Sequence, residues 1–441
     1  MPPQLALLLC TAFVLFLLWL DRKQAPHVSH ALWVPTAWML LIASKPLGIW
    51  FGTGVDATGS MLDRVFLSAL LCVGLFILLM RNFDWFSAIK ENGWVIVLVL
   101  YMLVSVSWSD MPFISLKRWV REVVAIVMAF LVLSEREPRE ALLSVFRRTI
   151  YVLIPFSVVL IKYYPAYGVS FSHWSGNIMW IGVCLQKNSL GRLCMFAVFF
   201  LVLTLVMRWR KRDLPVVKHQ TKIELLLLFI ALWLLRGPGD AYSATSIAAL
   251  AAGFTTLIGL LWLKRRHSIL GRNAIAIMAA VVICYGTLVP MLGGLSFGFF
   301  SSALGRDETL TGRTDIWSEL VPTVRQHPIL GAGYGAFWTP EAIETHGENE
   351  AHNGYLDTVL DLGFVGLTFI CIFLLWCCRN AQRAFARDFD LASFWVCFLI
   401  MTVIHNLSES SINTFTSHLT AILLFLAASV QMSARRQGRV L

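Results

Sequence analysis

Long apolar runs separated by short basic loops dominate this chain, at 4–20, 31–50, 65–80, 93–108, 119–134, 149–162, 190–207, 223–236, 243–263, 273–291, 355–378, 391–405 and 415–432. A helix needs about 17–25 mostly apolar residues to cross the hydrocarbon of a bilayer. The pattern therefore predicts an all-α polytopic membrane protein of about 12–13 transmembrane helices, with 149–162, 223–236 and 391–405 the shortest candidates. One stretch interrupts the alternation. Residues 292–354 form a long polar segment, and a loop of that length is usually functional. The chain thus divides into ten helices over 1–291, a large loop over 292–354, and the last helices with a tail over 355–441. Inside the loop, Asp315 to Gln326 reads as a short helix. Its apolar stripe Ile316, Leu320 and Val324 follows i, i+4, i+8, and Pro322 kinks or restarts it. Such a helix is expected to lie along the bilayer surface and roof a cavity.

Composition agrees with a membrane solvent: 58% of residues are hydrophobic, only 14% are charged, and mean hydropathy is +0.71. The first run lacks a basic leader and is followed by Asp21-Arg22-Lys23, so it reads as a retained span and not a cleavable signal. The nine cysteines lie in or beside apolar runs without a CxxC pair, which points to neither a disulfide framework nor a zinc site.

Charge then sets orientation. The loops 21–30, 81–92, 135–148, 208–222, 264–272 and 379–390 and the tail 433–441 hold 24 of the 36 Lys and Arg residues, and with thirteen spans all of them fall on one side. That side is the cytoplasm by the positive-inside rule. The net charge of +10 is largely this bias and requires no nucleic acid. The large loop then faces outward. Twelve cations break the bias, among them Lys45, Lys117, Lys187, Arg192, Arg236 and Arg313. Singly, each is expected to snorkel to lipid phosphates. Together they suit a phosphorylated substrate approaching from the outer leaflet.

Candidate chemistry centres on His352-Asn353, where the polar segment meets a hydrophobic span. A titratable group at a membrane surface is a functional candidate. His346, Glu348, Glu350 and His352 are good ligand types for a metal but lack a metalloprotease helix register, so no metal or other cofactor is expected. Gly331-Ala332-Gly333-Tyr334-Gly335 looks like a phosphate cradle, yet it follows Pro328 and has no trailing Lys-Ser/Thr, so a tight turn is the better reading.

Taken together, Gly312-Arg313 with Trp317, His327-Pro328-Ile329-Leu330-Gly331-Ala332-Gly333, and His352-Asn353 followed by Gly363 and Gly366 resemble the signature loop of the O-antigen ligase and polysaccharide polymerase superfamily. Fainter echoes are Trp108-Ser109 with Pro112 and Lys117, Lys187-Asn188-Ser189-Leu190-Gly191, and Ser243-Ala244-Thr245-Ser246. The resemblance implies a helical fold in the bacterial inner membrane, a periplasmic active site, and a polyprenyl-diphosphate-linked glycan donor. Other polysaccharide assembly proteins are possible partners. It implies His352 as the base that deprotonates the acceptor hydroxyl and Arg313 as the contact to the diphosphate. Arg236 takes the place of a second arginine, and Lys187, Arg192, Lys117 and Asn353 join it as substrate-binding candidates. Displacing a diphosphate from an anomeric carbon needs charge stabilisation and a base, which cations and one imidazole supply.

The expected function is polymerisation of lipid-linked repeat units. A ligase moving the finished glycan to lipid A-core or protein is the alternative, because both use the same donor. A solute transporter is the rival of another class. Transporters keep ionisable groups inside their spans, and 243–263 and 273–291 contain none.

Overall fold

The computed structural model describes residues 1–54, 59–171, 176–210, 216–239, 241–265, 274–291, 313–385 and 388–438. Every one of the thirteen apolar runs contains a helix, and the only strands among the described residues are the short antiparallel pair Val169–Phe171 and Ile178–Trp180. The protein is an all-α polytopic membrane protein. Among the described residues, six helices are long and apolar enough to cross a bilayer: Pro3–Gln24, Met61–Met80, Pro138–Tyr163, Lys187–Arg208, Ala244–Arg265 and Gly354–Ala384. A seventh crossing arises if Trp85–Glu91 and Gly93–Trp108, bent by 88° at their junction, form one broken span. The remaining runs are shorter apolar helices, Pro112–Leu133 with its charged first half, and Val216–Arg236. Pro3–Gln24 and Met61–Met80 are only 22% buried and expose Leu8, Leu15, Trp19, Val65 and Phe76, an apolar surface that lipid covers without cost.

Contacts group the residues into two interleaved units, so the linear blocks 1–291, 292–354 and 355–441 give the order along the chain and not the grouping in space. The first unit comprises Met1–Phe83, Val127–Phe254 and Ala428–Leu441. Its centre is Pro138–Tyr163, buried against Pro3–Gln24, Trp33–Ile42 and Val216–Arg236. Phe146 stacks edge-on to Phe196 and Phe200 at 5.3 and 6.0 Å.

The second unit comprises Asp84–Ile126 and Thr255–Ala427 and is built around Gly354–Ala384, which packs on Gly93–Ser105, Ala274–Met291 and Phe389–His405. That central helix is broken at Gly363, where φ is 64° and ψ −171°. A break orphans backbone groups that a membrane cannot hydrate, each at a cost of several kcal/mol, so it persists only where protein re-satisfies them. The segment after His327 does so by exchange. In an unbroken helix the Phe364 N–H would donate to Leu360 and that of Val365 to Asp361. Here Phe364 donates to the Pro328 carbonyl at 2.9 Å and Val365 to that of Ile329 at 3.2 Å, while the freed carbonyls of Leu360 and Asp361 accept from Ala332 at 2.9 Å and Gly333 at 2.8 Å. The Leu362 carbonyl takes the Tyr101 hydroxyl at 2.9 Å.

This exchange requires backbone against backbone. A Cβ on Gly363 would stand 2.1 Å from the Ile329 carbonyl oxygen, and one on Gly331 2.6 Å from the Gly363 nitrogen. Gly331, Gly333 and Gly335 all have positive φ, so the expected tight turn is borne out. Its office is to plug a broken helix, not to cradle phosphate.

Gly347 offers an internal control, having φ +68° but open space around its missing Cβ. Gly347→Ala should cost about 1–2 kcal/mol, the left-handed penalty alone. Gly363, at φ 64° and ψ −171°, lies in an essentially glycine-only region and its Cβ would also collide with backbone, so thermal unfolding of the purified protein should fall distinctly further for Gly363→Ala. Equal losses would mean that the close approach at Gly363 contributes nothing.

Candidate functional site

Three elements of the second unit converge. Arg313 opens the helix Arg313–Gln326, His352 ends the segment before Gly354–Ala384, and Glu409 lies in the turn after Phe389–His405. The short helix is continuous through Pro322 and buries Trp317, Leu320 and Val324, with Ile316 only partly covered, so the apolar stripe is shifted from the expected one. It packs on Ala274–Met291 and Gly354–Ala384, and the Trp317 indole donates to the Ala351 carbonyl at 2.8 Å. These contacts draw Arg313 and the His352 segment together. Residues 292–312, including Gly312, lie outside the described residues.

His352 sits in the left-handed region at φ 49°, one of two such non-glycine residues among those described. This conformation is unfavourable for a residue with a Cβ and clusters at functional sites. Its neighbours over-determine it. On the preceding side, the Ala351 N–H donates to both oxygens of Asp357 at 3.1 Å. On the following side, Asn353 caps the central helix, accepting from Tyr355 and Leu356 at 3.0 Å and donating to the carbonyls of Gly286 and Leu407 at 3.0 and 3.3 Å. Asn353 is fully buried, so what it contributes is the placement of His352.

The imidazole faces carboxylates. Glu350 Oε1 lies 3.1 Å from Nδ1, and Glu348 Oε2 lies 3.6 Å from Nε2. Burial works to lower the His352 pKa, but Glu350, with Glu409 behind it, outweighs both burial and the Arg313 charge, and the pKa stands above its ordinary value. Arg313 makes a 2.6 Å ion pair with Glu409, which is 1% exposed. A cation in the first turn of a helix opposes the helix dipole, so the buried carboxylate is what makes that position tenable. Glu350, His352 and Glu409 each offer a donor atom within 4.8 Å of the others, a spacing suited to a metal ion. The Arg313 guanidinium occupies one of those carboxylates and its charge disfavours a cation there. His346, grouped with them in sequence, turns instead to Glu319 at 3.4 Å.

Buried acids tie together the loops of this unit. Asp357 accepts from the Trp338 indole at 2.8 Å and from the Ser410 hydroxyl, tying three loops to one carboxylate. Glu122 accepts from Tyr334 at 2.6 Å, Thr414 at 2.7 Å and the Phe415 N–H at 2.6 Å. Sequence reading passed over Glu122, Asp361 and Glu409. For Glu122 and Asp361 the signal was present, because carboxylates inside hydrophobic runs are costly and mark function or structure, whereas Glu409 lies in a polar turn and carried no such mark.

The other candidates divide between the two units. Lys117 belongs to this unit and stands 4.1 Å over the Phe113 ring. Lys187, Arg192 and Arg236 belong to the first unit. Lys187 and Arg192 lie in the first turns of Lys187–Arg210, Arg192 donating to Ser189 at 2.9 Å, and Arg236 is exposed at the end of Val216–Arg236. Two of the fainter echoes do meet there: a Cβ on Gly191 would stand 2.5 Å from that of Ser243. The third packs on the plug, since the Trp108 indole donates to the Leu330 carbonyl at 3.3 Å and Ser109 abuts Gly333.

Residues 229–371, which include Arg313, His352 and the break at Gly363, match the O-antigen ligase family. The chain is also 20% identical over 357 residues to the exopolysaccharide production protein ExoQ of Rhizobium meliloti (strain 1021), covering 78% of each chain. These similarities support a function of the O-antigen ligase or polymerase type, in a chain whose long apolar helices are those of a multi-pass membrane protein.

Because its folded pKa is raised, His352 contributes stability that is fully present below the unfolded value near 6.5 and is lost as pH rises through the folded one. The unfolding temperature of wild type should exceed that of His352→Gln at about pH 5.5. The gap should close in alkaline buffer. A gap that widens with pH would contradict the assigned direction.

Proposed function

We propose that the protein is a periplasm-facing, metal-independent glycosyltransferase that polymerises polyprenyl-diphosphate-linked repeat units into exopolysaccharide or O-antigen. The observation that carries this reading is one cluster that holds an imidazole and a guanidinium from the matched segment, His352 paired with Glu350 of that segment and Arg313 with Glu409 beyond it. In the reaction, His352 takes the proton of an acceptor sugar hydroxyl as its oxygen attacks the anomeric carbon of the donor. The bond from that carbon to the diphosphate oxygen breaks, and Arg313 receives the developing charge by turning from Glu409 to the phosphate oxygens. Glu350 raises the basicity of the imidazole, the second requirement of a general base.

The relative's description as an exopolysaccharide production protein favours the polymer as product. The family's description favours a second reading, transfer of a finished glycan to lipid A-core. Product length on a gel separates them, a ladder for the polymerase and a single capped species for the ligase. Orientation is supported by packing. Arg81 bonds Glu135 at 2.8 Å, Ser29 bonds Glu135, and Arg147 bonds Asp21 at 2.7 Å, so basic loops assigned to the cytoplasm meet one another.

Arg313→Ala should abolish product while the protein still inserts, and Arg313→Lys should rescue poorly because the bidentate geometry is lost. His352→Ala should slow turnover about 10²- to 10⁴-fold. Activity should fall as pH drops through the raised His352 pKa, and Glu350→Gln should move that acid limb to lower pH. Activity that is lost on chelation and restored by a divalent metal would replace this mechanism with one through the Glu350, His352 and Glu409 ligand set.

Reporter fusions test the orientation. Those after Gly347 and Ser410 should read periplasmic, and those after Lys218 and Arg387 cytoplasmic. A cytoplasmic signal at Gly347 would separate His352 from its substrate and end the reading.

A further inference from the structure

A second charged cluster lies in the first unit, where the helices Pro3–Gln24, Pro138–Tyr163, Lys187–Arg210 and Val216–Arg236 come together at the ends carrying the basic loops. Asp21, fully buried, receives Arg147 Nη1 at 2.7 Å, Arg148 Nε at 2.6 Å and Ser144 at 2.6 Å. Glu224, also fully buried, receives Arg208 Nη2 at 2.7 Å, Tyr151 at 3.0 Å and Thr204 at 3.3 Å. Arg147 links the two halves, its Nε standing 3.9 Å from Glu224.

Among the described residues, three guanidiniums therefore share two carboxylates, leaving one positive charge, with Arg147 8% and Arg148 3% exposed. An uncompensated charge in so dry a place is costly. The network also leaves buried polar atoms without hydrogen bonds: Arg147 Nε, Arg148 Nη1, Arg208 Nη1 and Gln24 Nε2, with Gln220 Nε2 one turn before Glu224. Every one is an N–H donor. A set that lacks only acceptors, and lacks one negative charge, is complemented by an oxyanion, which accepts without donating.

We propose that this network is a binding site for one phosphodiester monoanion, the headgroup phosphate of an anionic phospholipid held at the helix ends. A phosphodiester carries a single negative charge, equal to the deficit, and basic pockets between membrane helices on the cytoplasmic side suit such headgroups. A free phosphate ion shares the chemistry, so the test separates the two.

The experiment measures retained ligand by native mass spectrometry, and thermal unfolding, on the full-length protein in detergent. Dioleoyl phosphatidylglycerol, dioleoylglycerol with the same chains and no phosphate, and inorganic phosphate alone are added in turn. One phosphatidylglycerol per chain should be retained and should raise the unfolding temperature, while dioleoylglycerol does neither. An equal rise with inorganic phosphate alone would assign the site to the soluble anion and overturn the lipid assignment. Arg148→Gln cancels the net charge while Asp21 keeps Arg147, and should weaken retention about tenfold or more. Asp21→Asn adds a positive charge and should retain the lipid at least as well as wild type. A purely structural ion network would be destabilised by both changes with no change in the response to lipid. Should Arg148→Gln not fold, Arg208→Gln is the parallel variant. Wild type that responds to neither phosphatidylglycerol nor phosphate would leave the donors to internal water and overturn the proposal.

Discussion

The backbone exchange at Gly363 is the constraint on which the second unit depends. A helix in hydrocarbon cannot open unless each freed N–H and C=O finds another partner, and here the Pro328–Gly333 segment and the Tyr101 hydroxyl supply five. The exchange fixes the register between the loop and the helix to the residue. It also explains two requirements that look unrelated in sequence, glycine at 331 and glycine at 363, as the two sides of one contact. Everything between these points, from Tyr334 to His352, is a loop whose ends are anchored on the same helix.

On that anchored loop, buried carboxylates convert position into geometry. Asp357 lies one turn and a half below the break and binds the Ala351 N–H, the Trp338 indole and Ser410. It thereby fixes the residue before His352, as Asn353 fixes the residue after it. The left-handed backbone of His352 is the consequence of being held from both sides. The neighbouring pairs, Arg313 with Glu409 and His352 with Glu350, set an imidazole and a guanidinium each against an acid. A substrate that brings negative charge to Arg313 competes with Glu409 for it, so binding and the release of that ion pair are coupled.

Apolar periodicity and charge bias reach a long way in this chain. Each of the thirteen runs contains a helix, and six of the described helices have the length and composition that crossing a bilayer imposes. The motif residues Arg313, Trp317, His352 and Asn353 could likewise be named in advance, and all four prove to be neighbours or their supports. Glu409 could not. It is one acid in a short polar turn, and nothing local says that Arg313, 96 positions away, needs it. Lys187, Arg192 and Arg236 show the reverse, cations equivalent in sequence to Lys117 that belong to the other unit.

What the sequence by itself determined is the solvent of each segment and the kind of chemistry available, since hydropathy, charge and side-chain type are properties of residues taken one at a time. What only the tertiary structure decided is which groups share a place. The pairing of Glu409 with Arg313, the exchange of backbone hydrogen bonds across Gly363, and the sharing of Asp21 and Glu224 by three arginines each join residues distant along the chain. Partner choice in a buried polar site is set by the requirement that every donor, acceptor and charge be satisfied at once, and that requirement exists only when the chain has closed around it.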